Sequence, residues 1–166
     1  MGENRDGEGE QARVLREHLP VVGRVVMALL GDAAEVERVL EHVAREHRQT
    51  RAPEGTKPLI ALLSIARAAC ANRLSKLPLR TSRGLGGDAA PTTERMGGSA
   101  NDAASARAAL ARLKPTEREA VVLHIVGGLD AADVAAVCNV DLGTAKNRIS
   151  RGVVELLGNK EMGGAQ

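Results

Sequence analysis

Asp130-Ala-Ala-Asp-Val-Ala-Ala-Val-Cys-Asn-Val-Asp-Leu-Gly-Thr-Ala-Lys-Asn-Arg-Ile-Ser-Arg151 is the stretch whose reading decides the fold. Two helix starts lie close together in it. Asp130 is placed to cap the first helix, with Asp133 adding negative charge in its first turn, and Asp141 to cap the second. Between them, Cys138-Asn139-Val140 is short enough for the tight turn of a helix-turn-helix. Val134 and Val137 give the first helix an apolar edge, and Ala135 is small enough for close helix contact. On the second, Leu142, Ala145, Ile149, Val153 and Leu156 recur at helical spacing and predict a buried face. Thr144, Lys146, Asn147, Arg148 and Arg151 fall largely outside that stripe. Cations and an amide on the second of two such helices suit a DNA major-groove reader, because they neutralise phosphates and match the hydrogen-bonding edges of bases. A solvated face on an ordinary bundle would carry the same cations. The turn and the paired helix starts set the DNA reading above that one.

The chain has 166 residues and a net charge of +2, so any DNA signal must be local rather than a property of the whole field. It contains no Phe, Tyr or Trp. Its core must be built from Leu, Val, Ile and Ala, and aromatic stacking on bases is not available to it. The abundance of alanine, leucine and arginine suits helices. Cys70 and Cys138 lie far apart without metal-ligand spacing and read as buried or half-buried thiols rather than a disulfide or a zinc site. No hydrophobic run reaches membrane-spanning length, and Met1 to Gln11 is acidic and glycine-rich rather than a signal peptide. A soluble cytoplasmic protein is expected.

Outward from the opening stretch, helical apolar patterning runs from Gln11 to Leu30, with Pro20 expected to kink or restart that helix. Gly31 suits a stop and Asp32 the cap of a second helix, which carries Val36, Val39, Leu40 and Val43. After a loop at Pro53-Glu54-Gly55, Thr56 is expected to cap a third helix with Pro58 in its first turn and apolar positions from Leu59 to Leu77. Residues 78–101 are rich in glycine and poor in apolar residues, as in a flexible tether. Patterning resumes near Asp102. Pro115 opens another helix, Gly127-Gly128 closes it, and Gly158 is expected to end the last one. No segment reads as a strand; Val121–Val126 is β-branched but flanked by helical signals.

The expected architecture is therefore all-α: two small helical domains joined by a flexible linker, the second a helix-turn-helix. The divisions are a disordered tail at 1–10, a helical bundle at 11–77, the linker at 78–101, the helix-turn-helix domain at 102–158 and a tail at 159–166. Each module is small enough that its core is marginal alone, which invites a partner surface to complete it.

Over nearly its whole length between the tails the chain resembles the extracytoplasmic-function (ECF) sigma factors of bacterial RNA polymerase. Leu113-Lys114-Pro115-Thr116-Glu117-Arg118-Glu119 is similar to the family's Leu-Pro-x-x-x-Arg-Glu, with the proline one place later. Gly128-Leu129 is similar to its step into the helix-turn-helix, and Gly143-Thr144-Ala145-Lys146-Asn147-Arg148-Ile149-Ser150-Arg151 to its recognition helix. In the first module the frame is Leu15-Arg16-Glu17-His18, Leu29-Leu30-Gly31-Asp32 and Ile65-Ala66-Arg67. Where the family usually has Asp-Leu-Val-Gln-Glu-x-Phe for gripping the polymerase clamp, this chain has Arg38-Val39-Leu40-Glu41-His42-Val43-Ala44. The family's usual Trp and Asn farther on are Ala61 and Ala68.

The resemblance implies core RNA polymerase and promoter DNA as partners, with an anti-sigma factor as a further one. It implies polymerase contact at Arg38, Glu41 and His42. Upstream-promoter contact falls to Thr144, Lys146, Asn147, Arg148 and Arg151, and Arg67 and Arg73 become candidates for DNA-backbone contact in the first module. The reversed charge and the missing aromatics motivate a second reading, a sigma-like interaction protein that binds an anti-sigma factor or modulates transcription without melting DNA. A plain helix-turn-helix regulator of the response-regulator output type is a third reading, against which the N-terminal module argues. An enzyme is not expected. His18, His42, His47 and His124 form no ligand or nucleophile pattern, and the linker glycines lack the context of a phosphate-binding loop. No metal, cofactor, membrane or small-molecule substrate is implied.

Overall fold

A computed structural model describes the backbone of residues 3–50, 52–76 and 100–162, and the side chains of 9–50, 52–75 and 102–158. Seven helices are placed among these residues: α1 (Glu3–Leu30), α2 (Ala33–Gln49), α3 (Pro58–Lys76), α4 (Ala100–Arg112), α5 (Pro115–Ile125), α6 (Ala131–Cys138) and α7 (Leu142–Met162). No strand occurs among the described residues, and Val121–Ile125 is helical within α5. No described helix is long and apolar enough to cross a membrane. The expected tether over 78–101 lies almost wholly outside the described residues.

Local chemistry sets the ends of the helices. The Asp32 carboxylate accepts from the Glu35 N–H at 3.1 Å, satisfying one of the orphan donors that open α2. Gly31 has φ +71°, which reverses the chain between α1 and α2 without a Cβ penalty. Gly128, at φ +68°, does the same after α5. Pro115 occupies the first turn of α5, where its missing N–H costs nothing.

Several helix limits differ from the sequence reading. The first helix starts at Glu3, within the stretch expected to be disordered. It also runs unbroken through Pro20, which is exposed. Leu15, Val22, Val25 and Val26 bury one stripe on both sides of the proline, and their packing outweighs the local penalty. Thr56 does not cap α3, because Lys57 sits directly ahead of Pro58 and its carbonyl accepts from the Ala61 N–H at 3.2 Å. The last helix passes through Gly158 to Met162. A helical glycine costs about 1 kcal/mol relative to alanine, and without a left-handed turn it does not stop a helix.

The first three helices pack on one another, and α5, α6 and α7 form the second group. The two groups are not separate bodies. Helix α6 lies on α3 and α5 touches α1, so one apolar cluster runs from Leu15 and Val22 through Leu63 and Ala69 to Leu123, Val134 and Ala145. Fully burying a Val or Leu contributes about 1.5–3 kcal/mol. Sharing these residues across one seam lets each small group complete part of its core with the other. The core reaches this without any aromatic side chain; its largest fully buried members include Leu62, Leu63 and Leu123.

Candidate nucleic-acid interface

The helix-turn-helix is built by two aspartates and one left-handed residue. Asp130 accepts from the Asp133 N–H at 2.8 Å and so caps α6. Helix α6 ends with Asn139 at φ 52°, a conformation that asparagine tolerates better than most residues. The Val140 N–H then reaches back to the Ala135 carbonyl at 3.0 Å. Cys138 belongs to α6, so the turn is Asn139, Val140 and Asp141. Asp141 receives the Thr144 N–H at 2.8 Å and its hydroxyl at 2.6 Å. These bonds favour the charged carboxylates. Asp141 is held below its ordinary 3.8, first by the Thr144 hydroxyl and then by its N–H. Asp130 is held below the same value, first by the Asp133 N–H.

Ala145 is fully buried where α7 meets its neighbours, and Ile149, Val153 and Leu156 are half-buried behind it. Leu142 departs from the expected stripe. It is 45% exposed at the first position of α7, ahead of the contact that begins at Ala145. Gly152 is buried, and a Cβ there would collide with Val121, so this glycine permits the close crossing of α7 on α5. The opposite face presents Lys146, Asn147 and Arg151 to solvent, with Arg148 half-buried. Thr144 is half-buried and its hydroxyl is engaged by Asp141, which gives it a capping role in this structure.

In the first module the candidate residues sit differently. Arg67 donates through Nε to Glu119 of α5 at 2.8 Å, and Arg73 is paired with Glu35 of α2. The same Glu35 takes Arg38 at 2.6 Å. Glu41 and His42 are exposed beside a groove of about 510 Å³ that Arg45, Asn72 and Arg73 also line. The structure thus groups Arg38, Glu41 and His42 with Arg73, and separates Arg67 from them. From the sequence, neither Glu35 nor Glu119 is assigned as the partner of an α3 arginine. They lie 38 and 52 residues from their partners, and no local pattern reports such a pairing.

Comparison with known proteins agrees with this geometry. Residues 103–156 match the family described as sigma-70, region 4. Those residues form a region 4 domain at the carboxyl end of the chain. The chain is similar to the sigma factor RpoE in its co-crystal with the anti-sigma factor NepR from Bartonella quintana, at 22% identity and TM-score 0.70, covering 92% of this chain and 94% of that one. It is also similar to the chain in the NMR structure of the PhyRSL-NepR complex from Sphingomonas sp. Fr1, at 23% identity and TM-score 0.65, covering 88% and 86%. A third similar chain comes from the structure of CnrH in complex with the cytosolic domain of CnrY, at 16% identity and TM-score 0.63, covering 97% and 91%. These likenesses establish the fold. No curated protein matches the sequence. Within the region 4 domain, α6 and α7 are the two helices of the helix-turn-helix.

Proposed function

We propose that this chain is a transcription initiation factor that binds core RNA polymerase and promoter DNA to direct gene-specific initiation. The observation that carries the reading is the solvent-facing row Lys146, Asn147 and Arg151 on α7, set by a capped turn inside a region 4 domain. Helix α7 enters the major groove of the upstream promoter element. Lys146, Arg148 and Arg151 meet phosphates or guanine edges, and Asn147 offers its amide to a base. The α2 surface around Arg38, Glu41 and His42 docks on the polymerase. The test is reconstituted transcription with core polymerase on promoters carrying the chain's own upstream element. A specific transcript is expected, and binding to polymerase without initiation would overturn the reading. On duplex promoter DNA, neutralising Lys146, Arg148 and Arg151 flattens the dependence of log affinity on log salt by about 0.9 for each phosphate that is no longer neutralised.

A second reading has its own support. Two of the similar structures hold NepR, named in one of them as an anti-sigma factor. A chain without aromatic residues and with Arg38 on its docking helix could serve to bind such a regulator without opening DNA. Tight binding to an anti-sigma factor combined with no promoter opening would favour it.

A further inference from the structure

The seam between the two groups of helices carries charged contacts as well as apolar ones. Lys57, just ahead of α3, donates through Nζ to both oxygens of Asp133 on α6, at 2.8 and 2.9 Å. Farther along α3, Arg67 meets one oxygen of Glu119 on α5, and the other oxygen receives the thiol of Cys138 at 3.8 Å. The two cysteines flank this point, Cys70 on α3 and Cys138 on α6, at 3% and 4% exposure. Burial, and after it the nearby Glu119 carboxylate, push both thiols up to about 11. One carboxylate therefore acts on a thiol from each side of the seam.

We propose that these contacts form an intramolecular latch, in which Glu119 and Asp133 of the region 4 domain hold Arg67 and Lys57 and keep the chain closed, with α6 covering part of α3. The consequence for promoter binding rests on the function proposed above. In the closed chain the α7 cations face solvent, while Arg67 is occupied and cannot also meet a DNA phosphate. The closed form can approach duplex DNA through α7. Contact through the α3 face waits until a competing anion or a partner draws the two groups apart.

The native cysteines report the opening. The full chain is treated with a maleimide at neutral pH, and mass spectrometry follows Cys70 and Cys138 separately. Both label slowly in the parent chain, on the order of tenfold or more below the urea-unfolded chain, because closure buries the thiols and suppresses the thiolate. Lys57→Glu sets two carboxylates against each other at an exposed pair that neither thiol senses, and speeds both cysteines together by about threefold. The exchanged pair Lys57→Glu with Asp133→Lys returns both to the parental rate. Glu119→Gln speeds both by on the order of tenfold, part of it through loss of the carboxylate's field at the thiols. Circular dichroism confirms unchanged helix content in each variant. Raising salt on the parent chain speeds both thiols without any substitution, since screening weakens the exposed pair.

Parental labelling as fast as in urea would overturn the latch. So would an unchanged rate in Lys57→Glu, failure of the exchanged pair to restore it, or acceleration of Cys138 alone, which means that α6 frays by itself. None of these measurements involves polymerase or promoter DNA. Failure of the latch therefore leaves the proposed function standing, and failure of the transcription assay leaves the latch standing.

Discussion

The two halves of the molecule hold their arginines in different ways. In the region 4 domain Lys146 and Arg151 face solvent from α7, and Asp130 and Asp141 of the same motif are spent on capping helices. In the first module Arg67 and Arg73 lie on a helix that carries comparable cations, yet each is held by a carboxylate of another helix. The difference teaches that helical spacing reports which face a cation occupies and says nothing of whether its charge is already engaged. An arginine paired in a half-buried seam must surrender that partner before it can neutralise a phosphate.

The widest separation between the halves should appear in duplex binding. Replacing Lys146, Arg148 and Arg151 together by alanine is expected to lower duplex affinity by on the order of a hundredfold, measured by fluorescence anisotropy at fixed salt. Replacing Arg67 and Arg73 should change it by about threefold at most, since both are occupied in the closed chain. Equal losses in the two variants would break the contrast.

A smaller effect compares two helical glycines. Gly152→Ala forces a methyl group against Val121 and the backbone at Glu117, and should destabilise the fold by about 1–3 kcal/mol in urea unfolding. Gly23→Ala in α1 meets only the tip of Leu40 at 3.6 Å and should stabilise by about 0.5–1 kcal/mol. Matching signs would show that the α5–α7 crossing is looser than described.

Next come the left-handed residues that end α1 and α6. Gly31→Ala is expected to cost about 1 kcal/mol, and Asn139→Gly to be neutral or slightly stabilising, in the same assay. The smallest effect is acid sensitivity of the helix-turn-helix. Asp130 and Asp141 have folded values below the ordinary 3.8, so their contribution is present above that value and is lost as pH falls through the lowered ones. The amide signals of Asp133 and Thr144 should shift in that window in NMR spectra. Invariant signals there would remove the capping account.

The helix-turn-helix was legible because everything that makes it is local. Asp130, Asp141, Asn139 and Pro115 act within a few residues of where they stand, and the apolar spacing of Val134, Val137, Ala145 and Ile149 needs no knowledge of the partner helix. The clearest error arose where distant packing outweighed a local signal. Pro20 did not break α1, because Leu15 before it and Val22, Val25 and Val26 after it are buried where α1 packs on α2 and α3. Gly158 did not end α7, and Leu142 missed the core by standing ahead of the contact.

By itself, the order of residues determined an all-helical chain, the place of the turn, and the cationic face that follows it. Hydrogen bonds and periodicity over three or four residues are written in neighbouring positions. Only the tertiary structure decided that both groups of helices share one core, and that Glu119 and Asp133 engage Arg67 and Lys57 across 52 and 76 residues. A charge pair depends on where two side chains arrive in space, and that place is set by the summed burial of Leu, Val and Ala side chains from six helices.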